Sequence, residues 1–248
     1  MSDIPLVKTA VILAAGLGSR IADVHNLTPK GFIKIGEHSL IERSFCQLSR
    51  YGIERFIIGT GHQHEYYELF FADNSLVECV YNPLFAKSGS LHTLITLADR
   101  LKEDFLLLES DLIYENKALK RLLTANTRDA ILTSGFSFAG DEVFVGVDTE
   151  GYLSELSKNR NSLINPVGEL VGISKISVST LHILTDWVAK NQKHPTYLHY
   201  EEGLVSISGS RVKIAVILDP KLIWAEIDNN AHLKRVENDI YPKLIGNK

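Results

Sequence analysis

Three cations, Arg20, Lys30 and Lys87, sit in or beside glycine-containing stretches, and two acids, Asp111 and Asp228, close apolar runs. Such groups suit chemistry on phosphate esters. Cations neutralise phosphate oxygens, and hard carboxylates at strand ends hold a divalent metal. The densest of these stretches is Leu13-Ala14-Ala15-Gly16-Leu17-Gly18-Ser19-Arg20. Backbone N–H groups at Leu13, Ala14, Ala15, Gly16 and Gly18 can approach a nucleotide, with Arg20 supplying charge. The dinucleotide fingerprint G-x-G-x-x-G does not fit, because its third glycine position is Ile21. The second strand also ends in Gly59-Thr60-Gly61, without the acid that would bind a ribose. A P-loop does not fit either, since no G-K-[ST] follows. A tight turn between strand and helix, with an incidental arginine, is the plainer alternative.

The acids call for the same weighing. Leu106-Leu107-Leu108-Glu109-Ser110-Asp111 delivers carboxylates straight after a buried strand, where open α/β sheets bind ligands. Trp224-Ala225-Glu226-Ile227-Asp228 is a late strand ending in a second acid. Glu226 is the weaker candidate, because strand alternation is taken to point it away from Asp228. Read alone, Asp111 could be a solvated strand terminus and Asp228 a helix cap. His62-Gln63-His64 has metal-like spacing but no third nitrogen or sulfur ligand, so zinc is not expected.

These residues need a scaffold, and the hydrophobic pattern supplies one. Apolar runs at Thr9–Ala14, Arg55–Thr60, Leu76–Tyr81, Phe105–Leu108 and Ala130–Ser134 alternate with helical spacing from Ser39, His64, Ser90 and Asn116. That alternation predicts an α/β fold, a doubly wound, mostly parallel (mixed) sheet. Beyond residue 135 a hairpin is expected over 142–157, turning at Asp148–Gly151, then a strand over Leu170–Ile176. Helices near 178–191 and 198–207 follow, then two strands and one closing helix over Asn230–Leu244. A single domain is expected. Residues 1–134 form its nucleotide-binding core, 135–228 a small β-rich acceptor part, and 229–248 a C-terminal helix.

Composition narrows the function further. The 248 residues carry 26 basic and 30 acidic side chains, a formal charge of −4. A general nucleic-acid binder would show a basic excess. No apolar run reaches the roughly 18 residues of a membrane span, and Met1–Lys8 has no apolar h-region, so export is not expected. With only two cysteines, Cys46 and Cys79, a disulfide framework is not expected. A cytoplasmic location follows as an expectation, while oligomeric state is not legible.

Thr28-Pro29-Lys30-Gly31-Phe32 follows the glycine stretch, and the two together resemble the signature of the nucleotidyltransferase superfamily, L-A-A-G-x-G-x-R and then P-K. That resemblance implies transfer of a nucleotidyl group from a nucleoside triphosphate to a phosphorylated small molecule, with release of pyrophosphate. It also implies Mg2+ held by Asp111 and Asp228, with Arg20 and Lys30 catalytic. Tyr81–Ser90, Glu109-Ser110-Asp111, Glu169–Ser174 and Trp224–Asp228 are similar to the small cytidylyltransferases that activate 2-aminoethylphosphonate or phosphocholine. The aminoethylphosphonate enzymes are the nearer of the two, through Lys87-Ser88 and the run Leu170–Lys175.

The resemblance thus implies CTP as donor, with Ser88 and Glu109 at the nucleotide and Lys87 holding the attacking group. N–H groups at the helix start beside Lys87 would serve the same phosphate. Glu201 or Glu202, or else Asp141, would face the acceptor's amine. Phe136, Phe138, Tyr197, Tyr200 and Trp224 could cage a trimethylammonium or be ordinary core. Ile240–Lys243 resembles the join to an aminotransferase half in fused relatives, which leaves two readings open, a stand-alone enzyme and a part of a longer protein with a fused or partner aminotransferase. A sugar 1-phosphate acceptor and a non-catalytic nucleotide sensor are the rival readings.

Overall fold

A computed structural model describes residues 6–21, 28–137, 139–140, 142–191 and 196–246. Thirteen strands are found among them: β1 (Thr9–Ala14), β2 (Lys34–Ile35), β3 (His38–Ser39), β4 (Arg55–Thr60), β5 (Val77–Tyr81), β6 (Phe105–Glu109) and β7 (Leu112–Tyr114), followed by β8 (Ala130–Ser134), β9 (Phe144–Val147), β10 (Leu153–Ser157), β11 (Pro166–Ile176), β12 (Ala215–Asp219) and β13 (Trp224–Glu226). The helices are α1 (Leu40–Arg50), α2 (His64–Phe70), α3 (Ser90–Thr96), α4 (Lys117–Leu123), α5 (Val178–Lys190), α6 (Tyr200–Ile207), α7 (Asn230–Arg235) and α8 (Tyr241–Gly246).

The main sheet is mixed, as the strand–helix alternation predicts. β6, β1, β4 and β5 lie side by side and parallel. β11 runs antiparallel to β6 and to β8, and β12 pairs in parallel with β8. β1 and β6 are apolar nearly throughout because both faces of the sheet are covered. Ala10, Ile12, Leu106 and Leu108 face Ile41 and Leu48 of α1. Val11, Leu13, Phe105 and Leu107 face Leu91 of α3, Leu181 of α5 and Leu204 of α6. Helix α1 starts where Ser39 and Glu42 form a reciprocal cap, Ser39 N–H donating to Glu42 Oε2 at 2.7 Å and Glu42 N–H to Ser39 Oγ at 3.3 Å. No helix among the described residues is long and apolar enough to cross a membrane.

Three expectations change. The strand expected over 170–176 begins at Pro166 and carries both β9 and β8, so the hairpin β9–β10 extends the main sheet. The late strand, β13, is not in the main sheet. It pairs antiparallel with β7, which is too short for sequence periodicity to reveal. The closing helix is interrupted by a π-helical turn over Val236–Ile240, whose apolar side, with Ile33, Ile113 and Ile227, forms a third small core.

Candidate active site

One cleft opens at the carboxyl ends of β1 and β6, where open α/β sheets bind ligands. It holds about 420 Å³. The glycine loop after β1 forms one wall, with Leu13 to Arg20 lining it. The loop is tied into the sheet by Ser110 N–H donating to the Leu13 carbonyl at 3.2 Å. Pro29 and Lys30 come next along the chain. Lys30 begins a single 3-10 turn, Lys30–Phe32, and Phe32 packs against Tyr66, Tyr67 and Phe70 at ring separations of 4.9–5.9 Å. This aromatic anchor fixes where the Lys30 stem leaves the backbone.

The metal-candidate acids meet through the small β7–β13 ladder. Ile227 N–H donates to the Asp111 carbonyl at 3.0 Å, which places Asp228 beside Asp111 although they are far apart in sequence. Lys30 Nζ donates to Asp111 Oδ2 at 2.8 Å and also to Asp228 Oδ1. Arg20 reaches the other oxygen of Asp228 at 2.8 Å. Burial pulls the Lys30 ammonium toward neutrality, but Asp111 and Asp228 together hold its pKa above the usual lysine range.

Behind this bridge lies a surplus of negative charge. Carboxylate oxygens of Glu109, Asp111 and Glu226 lie within 4.8 Å of one another. Burial, followed by repulsion from Asp111 and Asp228, pushes the Glu226 carboxyl up to about 9. Burial, then Glu226, Glu201 and Asp111, raises Glu109 well above the carboxylate range. Glu109 reaches this position because β11 bulges at Gly172, whose φ is +77°. That φ favours glycine, and a Cβ there would stand 2.6 Å from Glu109 Oε2 and push that carboxylate aside. An all-oxygen set of crowded carboxylates is the donor chemistry of a hard divalent cation such as Mg2+, so these residues fit one.

Glu226 therefore corrects the expectation from strand alternation. Residues two apart in a strand share a face, so Glu226 and Asp228 point the same way. Glu109, expected at the nucleotide, stands in the carboxylate cluster. Lys87 also differs from expectation. Its side chain is exposed and does not line the cleft. Two of the N–H groups at that helix start are also taken. Gly89 N–H is bonded to the Thr196 carbonyl at 2.8 Å and Leu91 N–H to the Leu198 carbonyl at 3.2 Å. Ser88 does line the cleft.

The two glutamates at the start of α6 part company. Glu202 is exposed and caps the helix, accepting from His199 N–H at 2.7 Å. It is thus turned away from any acceptor. Glu201 lines the cleft, and its Oε2 is buried with no hydrogen-bond partner. Burial raises its pKa, only partly offset by its own backbone, His199 and Lys158. Asp141 and Phe138 lie outside the described residues. Of the candidate cage aromatics, Phe136 is covered by Arg160, whose guanidinium carbon lies 3.9 Å from the ring centroid, and Tyr200 is fully buried. Tyr197 is exposed outside the cleft, and among the described candidates only Trp224 lines it.

Lys158, His199, His232 and Arg235 also line the cleft and escaped the sequence reading, while Glu169, which opens the Glu169–Ser174 segment, lines it without having been given a role. Lys158 follows β10 directly, so a lysine at a strand end was the signal available. Glu169 sits mid-strand and buried, accepting from Ser137 N–H at 2.6 Å.

Residues 10–199 match the MobA-like NTP transferase domain. Over 237 residues, 89% of the chain, the sequence is 24% identical to a CMP-5'-(3-aminopropyl)phosphonate synthase of Streptomyces rubellomurinus. That match spans 37% of the Streptomyces protein, so the chain accounts for little more than a third of its length. The fold superimposes on the inositol-1-phosphate CTP transferase from T. maritima with a TM-score of 0.82 at 18% identity, covering 98% of this chain and 97% of that one. It also superimposes on the CTP:phosphocholine cytidylyltransferase of Streptococcus pneumoniae, with a TM-score of 0.74 at 18% identity over 93% and 98% of the two chains.

Proposed function

Because the chain belongs to the MobA-like NTP transferase domain family and is a nucleotidyltransferase, we propose that it transfers CMP from CTP to an aminated phosphonate or phosphate, 2-aminoethylphosphonate or phosphocholine. One observation carries the choice of acceptor. Glu201 Oε2 is buried in the cleft without a donor, and an acceptor's cationic nitrogen is the partner that would satisfy it. The aminopropylphosphonate named in its Streptomyces relative supports the same reading.

In the proposed reaction a phosphonate oxygen attacks the α-phosphorus of CTP in line. One P–O bond forms there, and the bond from the α-phosphorus to the bridging oxygen breaks. Pyrophosphate leaves with that electron pair. The attacking oxygen is already anionic, so no strong general base is needed. Arg20 and Lys30 neutralise the triphosphate, and the backbone from Leu13 to Gly18 selects and seats the nucleotide. Lys158, in place of Lys87, takes the acceptor's phosphonate while Glu201 holds the amine, so the acceptor is gripped at both ends. Asp111 and Asp228, joined by Glu226, would hold Mg2+, which when bound offsets charge on the phosphates and orients them. A cytoplasmic setting, where CTP is at hand, and an aminotransferase as neighbour in the reaction sequence complete the proposal.

The test is a pyrophosphate-release assay crossing four nucleoside triphosphates with 2-aminoethylphosphonate, phosphocholine, phosphoethanolamine and sugar 1-phosphates. The expected result is turnover with CTP and an aminated acceptor. Robust turnover with a sugar 1-phosphate alone would overturn the choice of acceptor. Tight CTP binding with no pyrophosphate from any pair would make the protein a sensor.

A further inference from the structure

The chain entering α6 is strapped to the chain entering α3. Gly89 N–H donates to the Thr196 carbonyl at 2.8 Å, Thr196 Oγ1 donates to the Lys87 carbonyl at 2.8 Å, and Leu91 N–H donates to the Leu198 carbonyl at 3.2 Å. Ser90 adds the bond nearest Glu201. Its Oγ accepts from Tyr200 N–H at 2.9 Å and lies 3.4 Å from His199 Nδ1. Tyr200 is the first residue of α6 and Glu201 the second. The hydroxyl that satisfies the opening N–H of α6 thus comes from α3.

The contact is close as well as bonded. A Cβ on Gly89 would stand 2.2 Å from the Leu198 carbonyl oxygen and 2.4 Å from that of Tyr197, so only glycine permits this approach. The α3 side is itself fixed. Asn82 is fully buried, and its Nδ2 donates to Ser88 Oγ at 3.2 Å and to Thr93 Oγ1 at 3.0 Å. Its Oδ1 accepts from Leu84 N–H at 2.9 Å. Ser88 and Ser90 line the same cleft as Glu201.

We propose that Ser90 is a positioning residue for acceptor recognition, holding Glu201 at a set distance from the nucleotide-binding loops through the strap at Gly89 and Thr196. This rests on the reading of Glu201 as the group that takes the acceptor's amine. The strap makes the acceptor carboxylate part of the nucleotide wall, so a shift at Ser90 changes how well the amine is met without touching the phosphates.

The readout is a preference, which a loss of stability alone would not move. The ratio of kcat/KM for 2-aminoethylphosphonate over ethylphosphonate, which lacks the amine, is measured with CTP in the wild-type protein, Ser90→Ala, Ser90→Thr, Thr196→Val and Glu201→Gln. Ser90→Ala is expected to lower the ratio about tenfold and Thr196→Val less, with KM for CTP unchanged. Ser90→Thr, which keeps the hydroxyl, restores most of the preference. Should Ser90→Ala fail to fold, Thr196→Val, at an exposed position, carries the test. A Ser90→Ala ratio equal to that of the wild type, while Glu201→Gln loses its preference, overturns the strap and leaves the role of Glu201 standing. A Glu201→Gln ratio equal to that of the wild type overturns both.

Discussion

At the edge of the main sheet away from the cleft, Asp104 and Asp129 are 6% and 9% exposed, about as buried as Asp111 and Asp228 at the cleft edge. There every carboxylate oxygen has a donor. Asp104 takes both nitrogens of an Arg128 fork at 2.6 and 2.8 Å, and the Val178 N–H at 3.1 Å. Asp129 takes the Ser177 N–H at 2.7 Å and the Ser177 hydroxyl at 2.9 Å, anchoring the start of α5. At the cleft edge the same residue types are crowded together. Glu109 and Glu226 are held above the carboxylate range, and one Glu201 oxygen has no donor. One edge is complete as folded, and the other leaves carboxylates crowded and one oxygen without a donor. Net charge gives no hint of this, because −4 averages over both edges.

The largest expected effect is at the incomplete edge. Asp111→Asn keeps the shape of the side chain but removes a charge from the carboxylate cluster. Turnover, read as pyrophosphate release, is expected to fall by about three orders of magnitude or more, with little change in melting temperature. Near-normal release by this variant would sink the metal placement. Asp104→Ala at the complete edge should do the reverse. It strands the Arg128 fork and the Val178 N–H, at a cost of about 2–4 kcal/mol, or roughly 5–12 °C in melting temperature. Its kcat, measured well below the melting point, is expected to stay at the wild-type value. A lowered kcat with unchanged melting would erase the distinction between the edges.

The two edges also differ in how legible they were in sequence. Buried parallel strands announce themselves as continuous apolar runs, so β1, β4 and β6 and the helices between them could be read directly. The glycine loop, Lys30, Asp111 and Asp228 follow such runs at a spacing that carries its own chemistry. Lys158 and Arg235 join the same cleft only through the fold, and the three-residue β7, which brings Asp111 to Asp228, leaves no period to detect. Lys87 misled for a related reason. A lysine beside a helix start suggests an anion site, but the Lys87 side chain is turned out of the cleft, and tertiary bonds to Thr196 and Leu198 take the Gly89 and Leu91 N–H groups. Glu201 and Glu202 are adjacent and alike in sequence, and only the cap on α6 separates their roles.

The smallest effect sharpens the comparison most, because it sets stability against function at a single side chain. Glu226 has a folded pKa of about 9, well above the ordinary glutamate value of 4.5. Between those values the unfolded chain releases this proton while the folded one retains it. The folded state then binds more protons, and stability must fall as pH rises through that window. Glu226→Gln removes that slope. Without added metal the variant is expected to melt about 2–6 °C above the wild type near pH 8, and close to it near pH 5. Magnesium should reverse the order. It offsets the crowded charge in the wild type and raises its melting temperature, while the variant, lacking one carboxylate, gains less. Parallel melting curves for the two proteins across pH 5 to 9 would mean that Glu226 carries no unfavourable charge, and that the cleft edge is as well paired as the edge at Asp104.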